Sequence, residues 1–390
     1  MMKPGWKTAR FKDVSTVVGG STPKTDIPEY WGGDNYWVAP AELDGSKFIS
    51  STVKRITDLA ISKTNLTLLP QGTVLLSSRA PIGKVAITTV PMYCNQGFKN
   101  IICGPELFNG YVYYFLKHNV DYLQSLGTGA TFKEISKKVV ENVSISYPSL
   151  EEQQRIVEEL DLLTGIIDKK NAQLRDLEAL SQSIFYEMFG DLMVSERWPR
   201  HIIKDLCIVN PSKKLIPSNL FADDTVSFMP MEDLEIKAGY AEPKQTRLLS
   251  EVQGSYTFFA EDDVLLAKVT PCFENGKVGI ASNLRNGIGF GSSEFFVIRP
   301  IKGIVKEVIY FFAQTQHFIS EASKQLTGTS GLRRVPRSFI ENLSIAIPPM
   351  ELQEAFAERI KVVEKEKITI KQSIQSTQTL LDSRMDAYFG

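Results

Sequence analysis

The amino-acid sequence repeats itself once, with a period of about two hundred residues. The matching residues are Trp6 and Trp198, segments 127–131 and 327–331, segments 141–145 and 341–345, Pro148 and Pro348, Gln153 and Gln353, and the pairs Phe189-Gly190 and Phe389-Gly390. Such a long period is typical of duplicated domains, because the units of solenoid proteins are several times shorter. The sequence therefore predicts two related domains, which can present two related surfaces to one long partner.

Each repeat ends in a segment with the pattern of a long helix. The first segment begins after Pro148 with a capping box formed by Ser149 and Glu152, and it runs to Gly190, a residue type that closes helices. Its apolar heptad positions are Ile156, Leu160, Leu163, Ile167, Leu174, Leu177 and Ile184. The second segment follows two prolines, and its apolar heptad positions are Phe356, Ile360, Val363, Ile370, Ile374 and Leu381.

Two apolar seams of equal length in one chain are predicted to pair with each other as a coiled coil. About 40 residues of helix form a rod of about 60 Å. Charged outer residues such as Glu158 and Asp176 favour a rod that meets solvent or other subunits. The second seam is looser, since Lys367 and Arg384 occupy two of its core positions. The alternative is that each helix packs only on its own globular domain.

The two globular parts combine short strands with helices. Segments such as 72–76, 84–87 and 295–298 have the composition of strands and are bounded by Gly, Pro, Asn or Ser. Each part also contains an aromatic-rich helical segment, at 111–126 and 308–325. The predicted fold class is α+β, with a twisted, partly closed sheet in each domain. The predicted divisions are 1–148 for the first domain, 149–190 for the central helix, 191–347 for the second domain and 348–390 for the last helix.

The motifs of common enzyme sites are missing from the sequence. Segment 19–25 resembles a phosphate-binding loop but has no glycine directly before Lys24, and Pro28 follows where a helix should begin. Asn210-Pro211 begins like the motif of adenine methyltransferases, yet the aromatic residue that would stack on a flipped base is absent. The 4 cysteines show no C-x-x-C spacing and the 3 histidines are scattered. We therefore predict no catalytic, cofactor-binding or metal-binding residue in this chain.

Hydropathy and charge limit the cellular environments and the binding partners that are expected for this chain. No apolar run reaches the ~18 residues of a membrane-spanning helix, and the first residues lack the apolar stretch of a signal peptide. The chain is therefore predicted to be cytoplasmic, with no membrane partner. A formal net charge of −1 neither requires nor excludes a nucleic-acid partner, because phosphate binding depends on local surface charge.

Polar and basic loops occur at matching positions of the two repeats. In the first pair of loops a strand runs into a Pro/Gly turn, and the candidate DNA contacts are Ser77, Ser78, Arg79, Lys84, Lys268, Thr270, Asn275 and Lys277. The second pair of loops supplies Thr128, Lys133, Lys137, Thr329, Arg333, Arg334 and Arg337. Clustered cations can neutralise phosphates, and Arg or Lys beside Ser, Thr or Asn can read base edges. We predict one DNA-contacting surface per domain; for any single cation, the alternative is an ordinary solvated position.

The chain resembles the specificity subunits of type I restriction–modification systems over essentially its whole length. The resemblance rests on segments 19–25, 30–33, 78–83, 95–99, 267–277 and 292–295, and on the Pro-x-x-x-Glu-Gln starts of both helices. The second helix departs from the pattern, because Leu352 interrupts its Glu-Gln pair. The order and duplication of these segments, and their joining to paired helices, are more specific than any one of them.

The resemblance implies two target recognition domains separated by an antiparallel coiled coil of two helices. Each domain would read one half of a split, asymmetric site in double-stranded DNA, and the helices would set the length of the unread spacer. Two methyltransferase subunits would dock on the assembly with S-adenosylmethionine, and restriction (motor) subunits would use ATP and Mg, so this chain would not be an enzyme. Two other classes stay open from the residues themselves: a coiled-coil adaptor that binds only proteins, and a nucleic-acid-modifying enzyme with its own active site.

Overall fold

The computed structural model describes residues 5–79, 81–129, 133–329 and 332–390, the side chain of Thr329 excepted. Within it the chain forms two compact units. The first contains the residues up to Lys169 together with Ser373–Gly390, and the second is Lys170–Gln372. The unit boundaries therefore fall inside both long helices, and each unit combines one globular part with a segment of each helix.

The first unit consists of two β-sheets, a strand pair and several short helices. Its strands are β1 (Lys7–Arg10), β2 (Ser15–Gly19), β3 (Trp31–Val38), β4 (Phe48–Ile49), β5 (Arg55–Ile56), β6 (Val74–Ser78), β7 (Ile82–Thr88), β8 (Tyr93–Cys94), β9 (Lys99–Cys103) and β10 (Ser144–Tyr147). Its helices are α1 (Phe11–Val14), α2 (Asp58–Lys63), α3 (Asn109–His118), α4 (Val120–Ser125), α5 (Lys137–Glu141) and the start of α6 (Leu150–Phe189). The sheet orders are β2-β9-β6-β7-β4 and β5-β3-β8, and β1 pairs with β10.

The strand β6 lies at the centre of the first unit because both of its faces are apolar. Val74 and Leu76 pack into the larger core beside α3, whereas Leu75 packs into a second core with Val38 and Leu43. Alternate residues of a strand point to opposite faces, so a continuous apolar run such as this one is buried on both sides. The strand therefore ends between two packed layers, and the loop that follows it is held from both sides.

The second unit repeats this plan. Its strands are β11 (Arg200–Ile202), β12 (Cys207–Val209), β13 (Thr225–Met229), β14 (Tyr240–Ala241), β15 (Gln245–Leu248), β16 (Thr257–Ala260), β17 (Val264–Ala267), β18 (Val278–Ala281), β19 (Ile288–Gly291), β20 (Phe295–Pro300), β21 (Thr327–Thr329), β22 (Leu332–Arg334) and β23 (Ser344–Ala346). Its helices are α7 (Ile203–Leu206), α8 (Leu249–Val252), α9 (Lys306–Phe312), α10 (Gln316–Lys324), α11 (Arg337–Asn342) and most of α12 (Met350–Phe389).

The five-stranded sheet of the second unit, β12-β20-β17-β18-β14, has the same strand order as that of the first unit. The second sheet, β15-β13-β19-β16, has four strands instead of three, β11 pairs with β23, and β21 pairs with β22. In both five-stranded sheets the last strand pairs in parallel with its neighbour, β4 with β7 and β14 with β18. The equivalent five-stranded sheets confirm the duplication and the α+β class that the sequence predicts.

The two long helices run antiparallel within each unit. In the second unit Phe189 packs on Phe356 with ring centroids 5.0 Å apart, and the ammonium of Lys367 lies 2.6 Å from Glu178. A later residue of α6 thus contacts an earlier residue of α12, so the two helices run in opposite directions. In the first unit Glu159 accepts a hydrogen bond of 2.6 Å from Tyr388. Five of the predicted seam residues are buried: Ile156, Leu160, Leu163, Phe356 and Ile360. The others are partly buried: Ile167, Leu174, Leu177, Ile184, Val363, Ile370, Ile374 and Leu381.

A buried glutamine fixes the start of each long helix. The amide oxygen of Gln153 accepts a hydrogen bond of 2.8 Å from the backbone N–H of Phe108, and its amide nitrogen donates to the carbonyl oxygens of Glu106 and Pro148 at 2.9 and 3.0 Å. Gln353 repeats all three bonds in the second unit, with the N–H of Val305 and the carbonyls of Gly303 and Pro348. The repeated glutamine is therefore a structural link between the helix and the globular part.

Replacement of Gln153 by Ala should lower the free energy of unfolding of the first unit by about 2–4 kcal/mol. The reason is that each buried backbone group left unpaired costs about 1–3 kcal/mol. Urea unfolding followed by circular dichroism measures the effect, and Gln154→Ala, on the exposed face of the same turn, is the matched control. Equal effects of the two substitutions would contradict the structural role of Gln153.

Candidate nucleic-acid interface

In the first unit the loop after β6 meets two other loops. Ser78 ends the strand, and its hydroxyl accepts a hydrogen bond of 3.1 Å from the ammonium of Lys99. The same ammonium lies 3.2 Å from the carboxylate of Glu134. Glu134 pairs through its backbone with Arg79 and with Thr128. The segments 78–79, 96–99 and 128–134 thus converge, although residues 130–132 and Ala80 lie outside the described part of the chain.

In the second unit the equivalent loops are joined by a salt bridge. The guanidinium of Arg334 binds the carboxylate of Glu294 through two hydrogen bonds of 2.7 and 2.9 Å. The hydrogen bonds from Arg334 hold the pKa of Glu294 below its usual range, and Lys268 contributes electrostatically. The backbone N–H of Arg333 donates to the hydroxyl of Thr270 at 3.2 Å. The hairpin β21–β22 is therefore fastened to the loop that follows β17.

The backbone partners define which residues correspond in the two units. The N–H of Ser78 donates to Gly97 and its carbonyl accepts from Ile135, at 2.7 and 3.0 Å. The N–H of Lys268 donates to Glu294 and its carbonyl accepts from Val335, both at 2.9 Å. Lys268 is thus the counterpart of Ser78. The two units therefore present different side chains at the same place.

Arg79 lies beside a glycine that leaves room for it. A β-carbon at Gly97 would approach the Nε atom of Arg79 to 3.2 Å and the side-chain oxygen of Asn95 to 3.0 Å. Arg79 is partly buried and Lys133 is exposed, and within the described ranges neither forms an ion pair. Lys268 is also partly buried, and its ammonium lies 5.9 Å from the centre of the ring of Phe296. These three cations are available to an anionic partner.

Several other candidate residues have their polar groups occupied by the protein itself. The ammonium of Lys84 donates to the carbonyls of Pro40 and Leu43 at 3.3 and 2.9 Å, and that of Lys277 donates to the carbonyl of Met231 at 2.9 Å. Ser77 is fully buried, and its hydroxyl bonds the backbone of Pro81 and Lys84. These placements favour structural roles for Ser77, Lys84 and Lys277.

The remaining candidates differ in how strongly they are paired. Lys137 lies 3.6 Å from Glu141, and Arg337 lies 2.8 Å from Glu341, one turn along their helices. Arg333 is half exposed and is 4.0 Å from its nearest carboxylate. Thr128 and Asn275 are exposed, and Thr329 ends β21, with its side chain outside the described residues.

The residues that join these loops are not among the candidates predicted from the sequence. Lys99, Glu134 and Glu294 position the candidate cations, but each lies far along the chain from its partner. Thr22 adds a further link, because its hydroxyl donates to the side-chain oxygen of Gln96 and accepts a hydrogen bond of 3.0 Å from Asn95. Segments 19–25 and 95–99 are both among the segments on which the family resemblance rests, but nothing within either segment indicates that the two are in contact.

Cations also stack on aromatic rings of the smaller sheets. The ammonium of Lys54 lies 5.7 Å from the ring of Trp31, and the guanidinium of Arg247 lies 3.8 Å from that of Phe228. A cavity of about 480 Å³ opens beside Trp31. Its lining includes Thr25, Gly33, Val53, Lys54 and Arg55. Positive charge beside an aromatic face suits nucleic-acid binding as well as packing.

Two further kinds of feature, a membrane-spanning helix and a metal-binding cluster, are both absent from the described residues. No helix among them is both long enough and apolar enough to cross a membrane. They also contain no group of three or more His, Cys, Asp or Glu side chains that could hold a metal ion. Burial raises the pKa values of Cys94, Cys103 and Cys207 to about 12, so these thiols stay protonated.

The family model of the type I restriction modification DNA specificity domain matches the chain twice, at residues 3–179 and 196–378. The chain therefore belongs to the family of type I restriction–modification DNA specificity proteins. The two matches correspond to the two repeats, and each includes a globular part and most of the long helix that follows it.

Curated relatives are specificity subunits of type I restriction enzymes. The MjaIX subunit of Methanocaldococcus jannaschii is 40% identical over 190 residues, which cover 48% of this chain and 44% of that protein. The EcoEI subunit of Escherichia coli is 34% identical over 155 residues, 40% of this chain and 25% of that protein. The chain thus spans less than half the length of these two relatives. The MjaVIII subunit of M. jannaschii is 24% identical over 404 residues, 96% of this chain and 92% of that protein.

Two solved structures share the fold over nearly the full length. One comes from a study of complex assembly and conformational transition of the type I R-M system, with a TM-score of 0.56, 16% identity and coverage of 100% of this chain and 98% of that chain. The other is the S subunit from M. genitalium, with a TM-score of 0.56, 13% identity and coverage of 99% and 96%. At these identities the likeness concerns the fold.

Proposed function

We propose that this chain is the non-catalytic specificity subunit of a type I restriction–modification complex, and that its two units read the two halves of a bipartite, asymmetric DNA site. The observation that carries the proposal is the duplicated loop cluster after β6 and β17. The same sheet order brings three loops together in each unit, and the side chains offered there differ. Two equivalent sets of loops that carry different hydrogen-bond donors are suited to reading two different DNA sequences.

The partners follow from the family. Double-stranded DNA would contact residues 1–148 and 191–347, and helices 149–190 and 348–390 would act as spacers. Two methyltransferase subunits would supply S-adenosylmethionine chemistry, and restriction subunits would supply ATP- and Mg-dependent cleavage. Such a complex works on DNA in the cytoplasm, and this chain would provide its sequence specificity alone.

Arg79 and Lys268 are the proposed base-reading cations. Both lie in loops held from several sides, which reduces the entropy lost when a side chain is ordered on DNA. Lys133 and Arg333 lie on the neighbouring loops and are more exposed. These two residues suit phosphate contacts, which position a protein on the duplex without reading its sequence.

Replacement of Arg79 or of Lys268 by Ala should weaken specific DNA binding by about 1–3 kcal/mol if the contact is to a base. The binding should be measured as a salt series on the chain with its methyltransferase. A phosphate contact would weaken all sequences alike and reduce the salt slope by about 1. Lys63→Ala and Lys302→Ala, at exposed cations outside the loop clusters, are the controls. Unchanged binding with intact folding would assign Arg79 and Lys268 to ordinary surface.

The same assay tests the proposed function itself. A specificity subunit should show salt-dependent, sequence-selective binding of DNA, because counterions are released as cations neutralise phosphates. An adaptor that binds only proteins would capture the methyltransferase without retaining DNA, and that result would overturn the proposal.

A further inference from the structure

A buried ionic cluster interrupts the apolar seam in the second unit. The ammonium of Lys367 lies 2.6 Å from the carboxylate of Glu178 on α6 and 2.7 Å from that of Glu364 on its own helix. The side chains of Lys367 and Glu364 are each 9% exposed, and that of Glu178 is 22% exposed. Burial lowers the pKa of Lys367, but the two carboxylates outweigh it and raise the pKa above its ordinary value. The lysine is therefore charged at a position where the heptad pattern calls for an apolar residue.

Stability alone does not account for this cluster. One ammonium faces two carboxylates, and the second oxygen of Glu178 is buried without a hydrogen-bond partner among the described residues. Buried ion pairs are costly to desolvate, and their replacement by apolar side chains is often neutral or stabilising. The best-attested role of a buried polar residue in a coiled-coil seam is to select the partner helix and the register.

The sequence repeat shows what replaces the cluster in the first unit. At the repeat spacing Ile167 stands at the position equivalent to Lys367, and Gln378 stands at the position equivalent to Glu178. The two long helices share their apolar seam positions but differ in charge at this layer. The apolar residues alone would therefore allow α6 to pair with the α6 of a second copy, or α12 with a second α12. Only the charges at this layer distinguish these pairings from that of α6 with α12.

Like-with-like pairing would break the ionic cluster. If α6 paired with the α6 of a second copy in the observed register, Glu178 would face Ile167. If α12 paired with a second α12, Lys367 would face Gln378. The first arrangement leaves Glu178 without an opposite charge, which is unfavourable for a mostly buried carboxylate. In the second, Lys367 keeps Glu364 on its own helix but loses its contact with Glu178. Only the combination of α6 with α12 places Glu178 opposite Lys367, as the structure has it.

We propose that the Lys367–Glu178–Glu364 cluster determines helix partner choice: it directs α6 to α12 and rejects the pairing of like helices from two copies of the chain. This role is independent of DNA reading. It also accounts for the lysine that makes the second seam look irregular in the sequence.

The test uses two full-length variants with complementary charges. One carries Lys367→Glu and so has three carboxylates in the cluster; the other carries Glu178→Lys and Glu364→Lys and so has three ammoniums. Each variant repels itself, whereas each α6 finds opposite charges on the α12 of the other variant. The variants receive different tags, are unfolded and refolded together, and are assayed by capture on one tag. We expect the co-captured amount to exceed that of two tagged unmodified chains by about tenfold or more, since buried like charges are strongly unfavourable.

Two controls keep this result interpretable. A chain with all three substitutions restores opposite charges internally, and we expect it to fold with the oligomeric state of the unmodified chain. The exposed pair Asp176→Lys and Lys365→Glu lies on the same helices and should leave co-capture at the unmodified level. Co-capture of the cluster variants no higher than that of the exposed pair would overturn the proposal. If co-capture stayed at that low level while both cluster variants were destabilised, the cluster would be assigned to stability alone.

Discussion

Exchange of residues 1–148 for the first domain of a different specificity subunit should replace one half of the methylated DNA sequence and leave the other half unchanged. The reason is that each unit builds its own sheets and its own loop cluster, with Ser78 in one unit at the place of Lys268 in the other. Specific sites are typically bound about 10³-fold or more tightly than nonspecific DNA, so recognition of the original half-site should be lost rather than weakened. Methylome sequencing of a host that expresses the chimaera with its methyltransferase measures the result.

The junction of this chimaera needs care, because the first unit also contains parts of both long helices. A junction at Pro148 keeps α6 and α12 native, and the donor domain should retain the backbone groups that bind Gln153. Exchange of 191–347 is the reciprocal experiment and should alter only the other half-site. A change in both halves after one exchange would rule out modular reading.

Insertion of one heptad into each long helix should lengthen the unread spacer between the half-sites. Seven residues add about 10 Å to a helix, which corresponds to at most about three base pairs at roughly 3.4 Å each, and to fewer if the helices lie oblique to the DNA. A heptad nearly preserves the face that each helix presents, with a drift of only about 20°. The half-site sequences should stay the same, and methylome sequencing measures both properties.

The unit boundaries suggest where to insert the heptads. They fall after Lys169 in α6 and after Gln372 in α12, so insertions there leave the packed residues of each unit in place. Insertion into only one helix is the control, since it shifts the seam out of register and should abolish assembly. An unchanged spacer in a methylation-competent double insertion would mean that the helices do not set the distance and serve as docking surfaces only.

Periodicity made much of the fold predictable from the sequence. The heptads placed both helices, and the helix start at Ser149 is found where the capping box predicts it, with the hydroxyl accepting from the N–H of Glu152 at 3.4 Å. The duplication predicted two similar domains, which the matching order of the two five-stranded sheets confirms. These features depend on residues that are close together in the sequence or on a simple repeat, and the sequence shows both kinds of pattern without knowledge of the structure.

The details of the candidate site were less predictable, because they depend on contacts between distant residues. The partner of Arg334 is Glu294, and the ammonium of Lys84 is occupied by backbone carbonyls of a separate loop. Likewise, Lys367 weakens the seam when α12 is read alone and is compensated only by Glu178 on the other helix. A pattern within one segment carries no information on such pairings.

The position of the last helical segment has a consequence for biosynthesis. Phe389 packs against Tyr111 and Phe115 of the first unit, with ring centroids 5.1 and 6.3 Å apart. Domains usually fold in the order in which they leave the ribosome, but here one segment of the first unit is translated after the whole second unit. In that interval the ring of Tyr111 can keep its contact with Trp6 but lacks Phe389, and apolar surface exposed in this way favours aggregation.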